Sequence, residues 1–133
     1  TVLAQRLIRL LCPFCKKKTI LNGELRKYVS EKIELLPSAE KTRASQAIEE
    51  MAVFQAVGCA KCNNSGYSGR VGIFESLEIN DDLAELILNK SGEREIFAVA
   101  RKQGMFTMEE DGVIKALEGI TSLEEVMRTT AEN

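Results

Sequence analysis

The sequence predicts a mainly α protein, a small helical bundle with a short β hairpin at a four-cysteine knuckle. Three observations carry that expectation. From Asn80 onward apolar residues recur at helical spacing between cap and stop signals. Two runs rich in β-branched and aromatic residues, 53–57 and 71–79, flank Cys59 and Cys62. All four cysteines fall into two Cys-x-x-Cys pairs, Cys12/Cys15 and Cys59/Cys62.

The chain opens with Leu3, Leu7, Leu10 and Leu11 at helical spacing and Gln5, Arg6 and Arg9 opposite, which predicts an amphipathic helix stopped at Cys12-Pro13. A start without Met, already inside such a pattern, implies a segment of a longer protein. After Lys16, Lys17 and Lys18, Asn22 can cap a helix whose Leu25, Val29, Ile33 and Leu36 share a face, ending before Pro37. Ser38 can cap the next helix, through Ala47, Ile48 and Met51.

Residues 53–57 and 71–79 are then expected as strands that pair around the second cysteine pair. Val71, Ile73, Leu77 and Ile79 share one face of the second strand, with Glu75 among them. A carboxylate there needs a partner, and Arg70 is the candidate; alternatively a bulge at Gly72 turns Glu75 outward. Helices follow from Asn80 or Asp81 and from Ser91, the latter ending at Gly104. Thr107-x-x-Glu110 and Thr121-x-x-Glu124 read as capping boxes, with Gly119 closing the helix between them. Met105, Met108 and Met127 are assigned to the core. Residues 1–79 form one expected subdomain, a cysteine unit with a helical insertion at about 19–55; residues 80–133 form a second, helical one.

Two residues between thiols let one tight turn aim both sulfurs the same way, and Zn2+ takes four such donors tetrahedrally. Cys12, Cys15, Cys59 and Cys62 are therefore the candidate metal ligands, with Pro13, Gly58 and Gly66 shaping the turns. Lys16, Lys17, Lys18 and Lys61 are expected to favour the thiolates electrostatically. Four protein ligands leave no open position, so such a zinc is structural. A disulfide pair, a redox dithiol and an iron–sulfur cluster remain alternatives by ligand type, although a thioredoxin-like site has one Cys-x-x-Cys in a βαβ setting.

The 133 residues contain no His, which excludes Cys/His metal sites and histidine-based catalysis. Gly66, Gly69 and Gly72 lack the Gly-x-x-x-x-Gly-Lys-Ser/Thr spacing and lead into a strand, whereas a phosphate loop opens a helix. The acidic runs Asp81-Asp82 and Glu109-Glu110-Asp111 start helices, where they favour the helix dipole. Residues 1–43 carry ten Lys/Arg against four Asp/Glu, and the rest eight against sixteen. With no base-stacking aromatics interleaved, this asymmetry predicts attraction between the halves, or to a neighbouring subunit, and no nucleic-acid binding. No apolar stretch approaches the roughly 20 residues of a membrane span, nor is there a signal peptide.

The stretches LAQRLIRLLCPFC, GCAKCNNSGYSGRVGIFESLEI and GMFTMEEDGVIKALEGITSLEEVMR resemble, in order, the C-terminal region of the type II secretion and type IV pilus-assembly ATPases, the GspE/PilB family. The resemblance covers nearly the whole chain and is weakest over 19–55. It implies a structural zinc on Cys12, Cys15, Cys59 and Cys62, and no catalytic residue in this segment. By the same resemblance the ATP/Mg2+ site is expected upstream, in a RecA-like core. The parent is then a cytoplasmic homohexamer, peripheral at the inner membrane, partnered by its ATPase core, neighbouring subunits and membrane platform proteins. A free-standing zinc-knuckle adaptor and a thiol redox enzyme are the alternative functions.

Overall fold

The computed structural model describes residues 2–36, 41–42 and 45–130, with the backbone alone at 2, 3, 47 and 77. It is mainly helical with short β elements. In order these are β1 (Val2–Leu11), β2 (Lys17–Ile20), α1 (Gly23–Glu34), α2 (Ser45–Glu50), β3 (Ala52–Gln55), β4 (Tyr67–Leu77), α3 (Asp81–Leu88), α4 (Glu93–Lys102), α5 (Met108–Leu117) and α6 (Leu123–Thr130). A 3-10 turn at Ala60–Cys62 separates β3 from β4.

The first element is a strand where its leucine spacing predicts a helix. β1 pairs antiparallel with β4, from Val2↔Leu77 to Arg9↔Arg70. The register then shifts to Leu11↔Tyr67, so two residues of β1 face three of β4. That extra residue is a bulge, with Gly69 at φ +86°. The expected partner of 71–79, residues 53–57, instead forms β3 and pairs with β2, Lys17↔Gln55 to Ile20↔Ala52. Two separate two-stranded sheets therefore stand in place of one hairpin.

The helices from Asn80 onward follow their punctuation closely. Asn80 Oδ1 accepts the Leu83 N–H at 3.0 Å, and Thr107 and Glu110 form the reciprocal capping box of α5. Gly92, one residue beyond Ser91, caps α4. At α6 the cap is Ser122, whose Oγ accepts the Glu125 N–H at 3.1 Å. Thr121 is diverted to the carbonyl of Arg9, to which it donates at 2.8 Å. Asn22 stands at the start of α1 in extended conformation without a side-chain cap bond. Val29, Ile33 and Leu36 are buried but Leu25 is exposed. Pro37 and Ser38 lie outside the described residues, as do the side chains of Leu3, Ala47 and Leu77.

One apolar cluster joins Leu21, Val29, Ile33, Leu36, Met51 and Val53 to Val113, Ile114, Ala116, Leu117, Leu123 and Val126. The insertion and the last two helices thus share a core across residue 80. Among the methionines Met51 is the buried one; Met105 and Met108 are half-buried and Met127 is exposed. The charge asymmetry is expressed inside the chain, by Arg9–Glu125 at 3.0 Å, Lys32–Glu109 at 2.9 Å and Lys18–Glu50 at 2.8 Å. No helix among the described residues is long and apolar enough to cross a membrane.

Candidate metal centre

The end of β1 and the turn before β4 bring the two cysteine pairs together. The Cys12 N–H donates to the Gly66 carbonyl at 2.9 Å, tying the first knuckle to the second. Each knuckle closes on itself: the Lys16 N–H donates to the Cys12 carbonyl at 3.2 Å, and the Asn64 N–H to the Cys59 carbonyl at 2.8 Å. Gly66, at φ +85°, sits where an added Cβ would lie 2.6 Å from that of Ala56, so the second knuckle closes only with glycine there.

All four sulfurs lie within 4.8 Å of one another. Cys12–Cys59 is 3.8 Å, Cys15–Cys62 3.9 Å and Cys59–Cys62 3.7 Å. Four thiolates about 2.3 Å from one tetrahedral zinc would stand about 3.8 Å apart, so the donor set fits a single ion. The same separations are far beyond a disulfide bond of about 2.05 Å, and all four cysteines are free. An iron–sulfur cluster would need its iron and sulfide core between the thiolates, which these spacings do not accommodate.

Backbone amides meet the sulfurs. The Gly58 N–H donates to Cys15 Sγ at 3.3 Å, and the Cys59 and Gly66 N–H groups both donate to Cys62 Sγ at 3.2 Å. At Cys62 burial pushes the thiol up, but those two amides together with the Cys59 and Cys15 thiols outweigh it and bring it down to about 6. At Cys15 burial dominates the single amide and pushes the thiol up to about 11.

The lysines act elsewhere than expected. Lys16 Nζ donates to the Gly119 carbonyl at 2.9 Å, and Lys18 pairs with Glu50. Lys61 stands over the Phe14 ring, 3.8 Å from its centroid. Glu75 likewise meets an amide: it accepts the Met108 N–H at 3.0 Å, at the start of α5. No Arg70–Glu75 pair forms among the described residues. Gly72 stays in register opposite Leu7, so Glu75 is not turned outward by a bulge there.

A second polar centre lies beside the knuckle, and no local motif in the sequence points to it. Glu125, 1% exposed, accepts from the Arg9 N–H at 2.8 Å and from both the Arg9 and Arg128 guanidinium groups. Burial opposes its charge, yet those donors hold the carboxyl down at about 2. Arg9 also lies over the Tyr67 ring, whose hydroxyl is 2.6 Å from Ser122 Oγ.

Comparison with known proteins places these features in a wider set. Residues 1–128 match the family model described as Type II/IV secretion system protein. The Type II secretion system ATPase E of Vibrio cholerae is 42% identical over 99% of this chain and 23% of its own length. The Type IV pilus assembly ATPase PilB of Thermus thermophilus is 36% identical over 98% of the chain and 13% of its own length. TfpB of Acinetobacter baylyi, also a Type IV pilus assembly ATPase, is 35% identical over 96% and 20%. The chain thus spans a quarter or less of each relative.

Proposed function

The chain belongs to the type II/IV secretion system protein family, and from that premise we propose that it is the noncatalytic, zinc-stabilised C-terminal domain of a secretion or pilus-assembly ATPase. Zinc held by Cys12, Cys15, Cys59 and Cys62 is structural in this reading, because four thiolates complete its coordination. The domain finishes the protomer of a homohexamer and helps couple ATP hydrolysis, carried out with Mg2+ in an upstream core, to secretion or pilus polymerisation. The parent works in the cytoplasm at the inner membrane, against platform proteins there.

The observation that carries the reading is the four-thiol cluster at tetrahedral spacing, in a chain similar throughout to such ATPases. Structural zinc supplies about 10 to 16 kcal/mol of apparent binding energy in small peptides. That is comparable to the roughly 5 to 15 kcal/mol net stability of a domain, so loss of the metal should be felt throughout. Elemental analysis of protein purified under reducing conditions is expected to give one zinc per chain, and a chelator to lower its melting temperature. Zinc-free protein whose melting is indifferent to chelator would overturn the metal assignment. The motor assignment is tested separately: a parent gene without a P-loop upstream of this segment would overturn it.

A further inference from the structure

The two cysteine knuckles end in a tip whose composition is not explained by holding a metal. Phe14 is 68% exposed and Val57 59% exposed. Both flank Cys15: Phe14 precedes it in sequence, and Val57 precedes Gly58, whose N–H donates to Cys15 Sγ. Pro13, Ala60, Asn63 and Asn64 are exposed beside them. A metal site needs none of this apolar surface, and polar residues would serve the turns equally well.

The segments that build the tip carry mostly positive charge. Residues 1–23 and 51–77, which build both knuckles and the strands leading into them, hold seven Lys/Arg and one acidic residue, Glu75, at the far end of β4. Arg9 and Lys18 are neutralised by Glu125 and Glu50 from other elements. Arg6 and Lys16 donate to the Thr129 and Gly119 carbonyls. Lys17 is exposed and has no ion pair among the described residues, and Lys61 is exposed with its ammonium over the Phe14 ring. A cation carried on an aromatic face beside a second exposed apolar side chain pairs a body suited to hydrocarbon with a head suited to anionic phosphate.

We propose that this tip, with Phe14 and Val57 as apolar contacts and Lys17 and Lys61 as cations, docks on an anionic lipid bilayer. A bilayer is the favoured occupant because the tip combines apolar exposure with positive charge, which an interface of headgroups and acyl chains meets without a shaped cavity. Each cation near such a surface is worth about fivefold in binding, and the attraction is screened by salt. The contacts are made by side chains that do not ligate the metal, and the proposal stands whether or not the parent is a motor.

The chain has no Trp, so Phe14→Trp places a single fluorescent reporter at the tip. Zinc-loaded protein is expected to float with vesicles of phosphatidylglycerol and phosphatidylcholine at low salt and to stay behind with phosphatidylcholine alone. Indole emission from the Phe14→Trp variant should shift to the blue on the anionic vesicles. Lys17→Glu/Lys61→Glu should lose flotation by twentyfold or more, and Phe14→Ser should weaken it several-fold; zinc content and circular dichroism verify that each variant is folded. Equal flotation on both vesicle types, no flotation on either, or folded charge variants that bind undiminished would overturn the proposal. So would preferential binding to polyglutamate, which makes the occupant an acidic protein.

Discussion

Glu125 is a carboxylate enclosed in the protein, and its most distant donor comes from the other end of the chain. Its folded pKa, about 2, lies below its ordinary 4.5. A depressed carboxyl stabilises the fold above the unfolded value and loses that contribution as pH falls through the folded one, so the window runs from about 4.5 down to about 2. The full shift corresponds to about 3 kcal/mol, discounted to about 1 to 2 kcal/mol because the Arg9 and Arg128 side chains are 45% and 61% exposed. Glu125→Gln should lower stability at pH 7 by about that amount, and the wild-type-minus-variant difference in denaturant melts should shrink as pH falls through the window. A difference that stays constant with pH would show that the charge of Glu125 contributes nothing. The cysteines are legible in the sequence because each pair is local, and two local pairs state their own stoichiometry. The Glu125 centre is not, because Arg9 is 116 positions away and nothing near either residue records the other.

At the scale of elements, an isolated two-stranded ribbon such as β1–β4 is marginal in water. Here α5 and α6 hold it with buried carboxylates: Asp111 accepts the Phe74 N–H at 2.9 Å and Glu125 the Arg9 N–H at 2.8 Å. This tertiary support explains why β1 reads as a helix from its own residues. Leucine and arginine favour helices, and the leucine spacing fits one, but the paired strand and its carboxylates lie far along the chain. The later helices are legible because their caps are local; even there, the Arg9 carbonyl takes the Thr121 hydroxyl and leaves the cap to Ser122. The α5–α6 contact depends on Gly112, where an added Cβ would come within 2.7 Å of Val126 Cγ1. Glycine to alanine ordinarily gains about 1 kcal/mol inside a helix, but overpacking costs about 1 to 3 kcal/mol, so the clash decides the sign. Gly112→Ala should therefore destabilise in denaturant titrations, and adding Val126→Ala should return part of the loss relative to Val126→Ala alone. A stabilising Gly112→Ala would show that the helices separate freely.

For the molecule as a whole, the cysteine centre and the apolar cluster are mechanically linked. The knuckles pin the chain at residues 12–15 and 59–62, and the intervening insertion contributes Leu21, Val29, Ile33, Leu36, Met51 and Val53 to the cluster it shares with α5 and α6. Freeing both ends of that insertion should loosen helices more than forty residues beyond the last cysteine. The α3–α4 hairpin is anchored differently: the two helices pack chiefly on each other, and Arg101 ties α4 to Glu110 at 2.6 Å and to the Leu35 carbonyl at 3.1 Å. Hydrogen exchange followed by mass spectrometry separates these two behaviours. Before chelation, α3 amides should exchange faster than those of α5 and α6. After chelation of the proposed zinc, protection should fall in β2, β3, α1, α5 and α6 together, by about tenfold or more, while α3 changes little, because a cooperative unit loses stability as one. If α5 and α6 keep their protection after the metal is removed, the cluster is stable without the knuckles. The cysteine centre would then hold only its own turns, and the proposed tip would be the part of the molecule that the metal shapes.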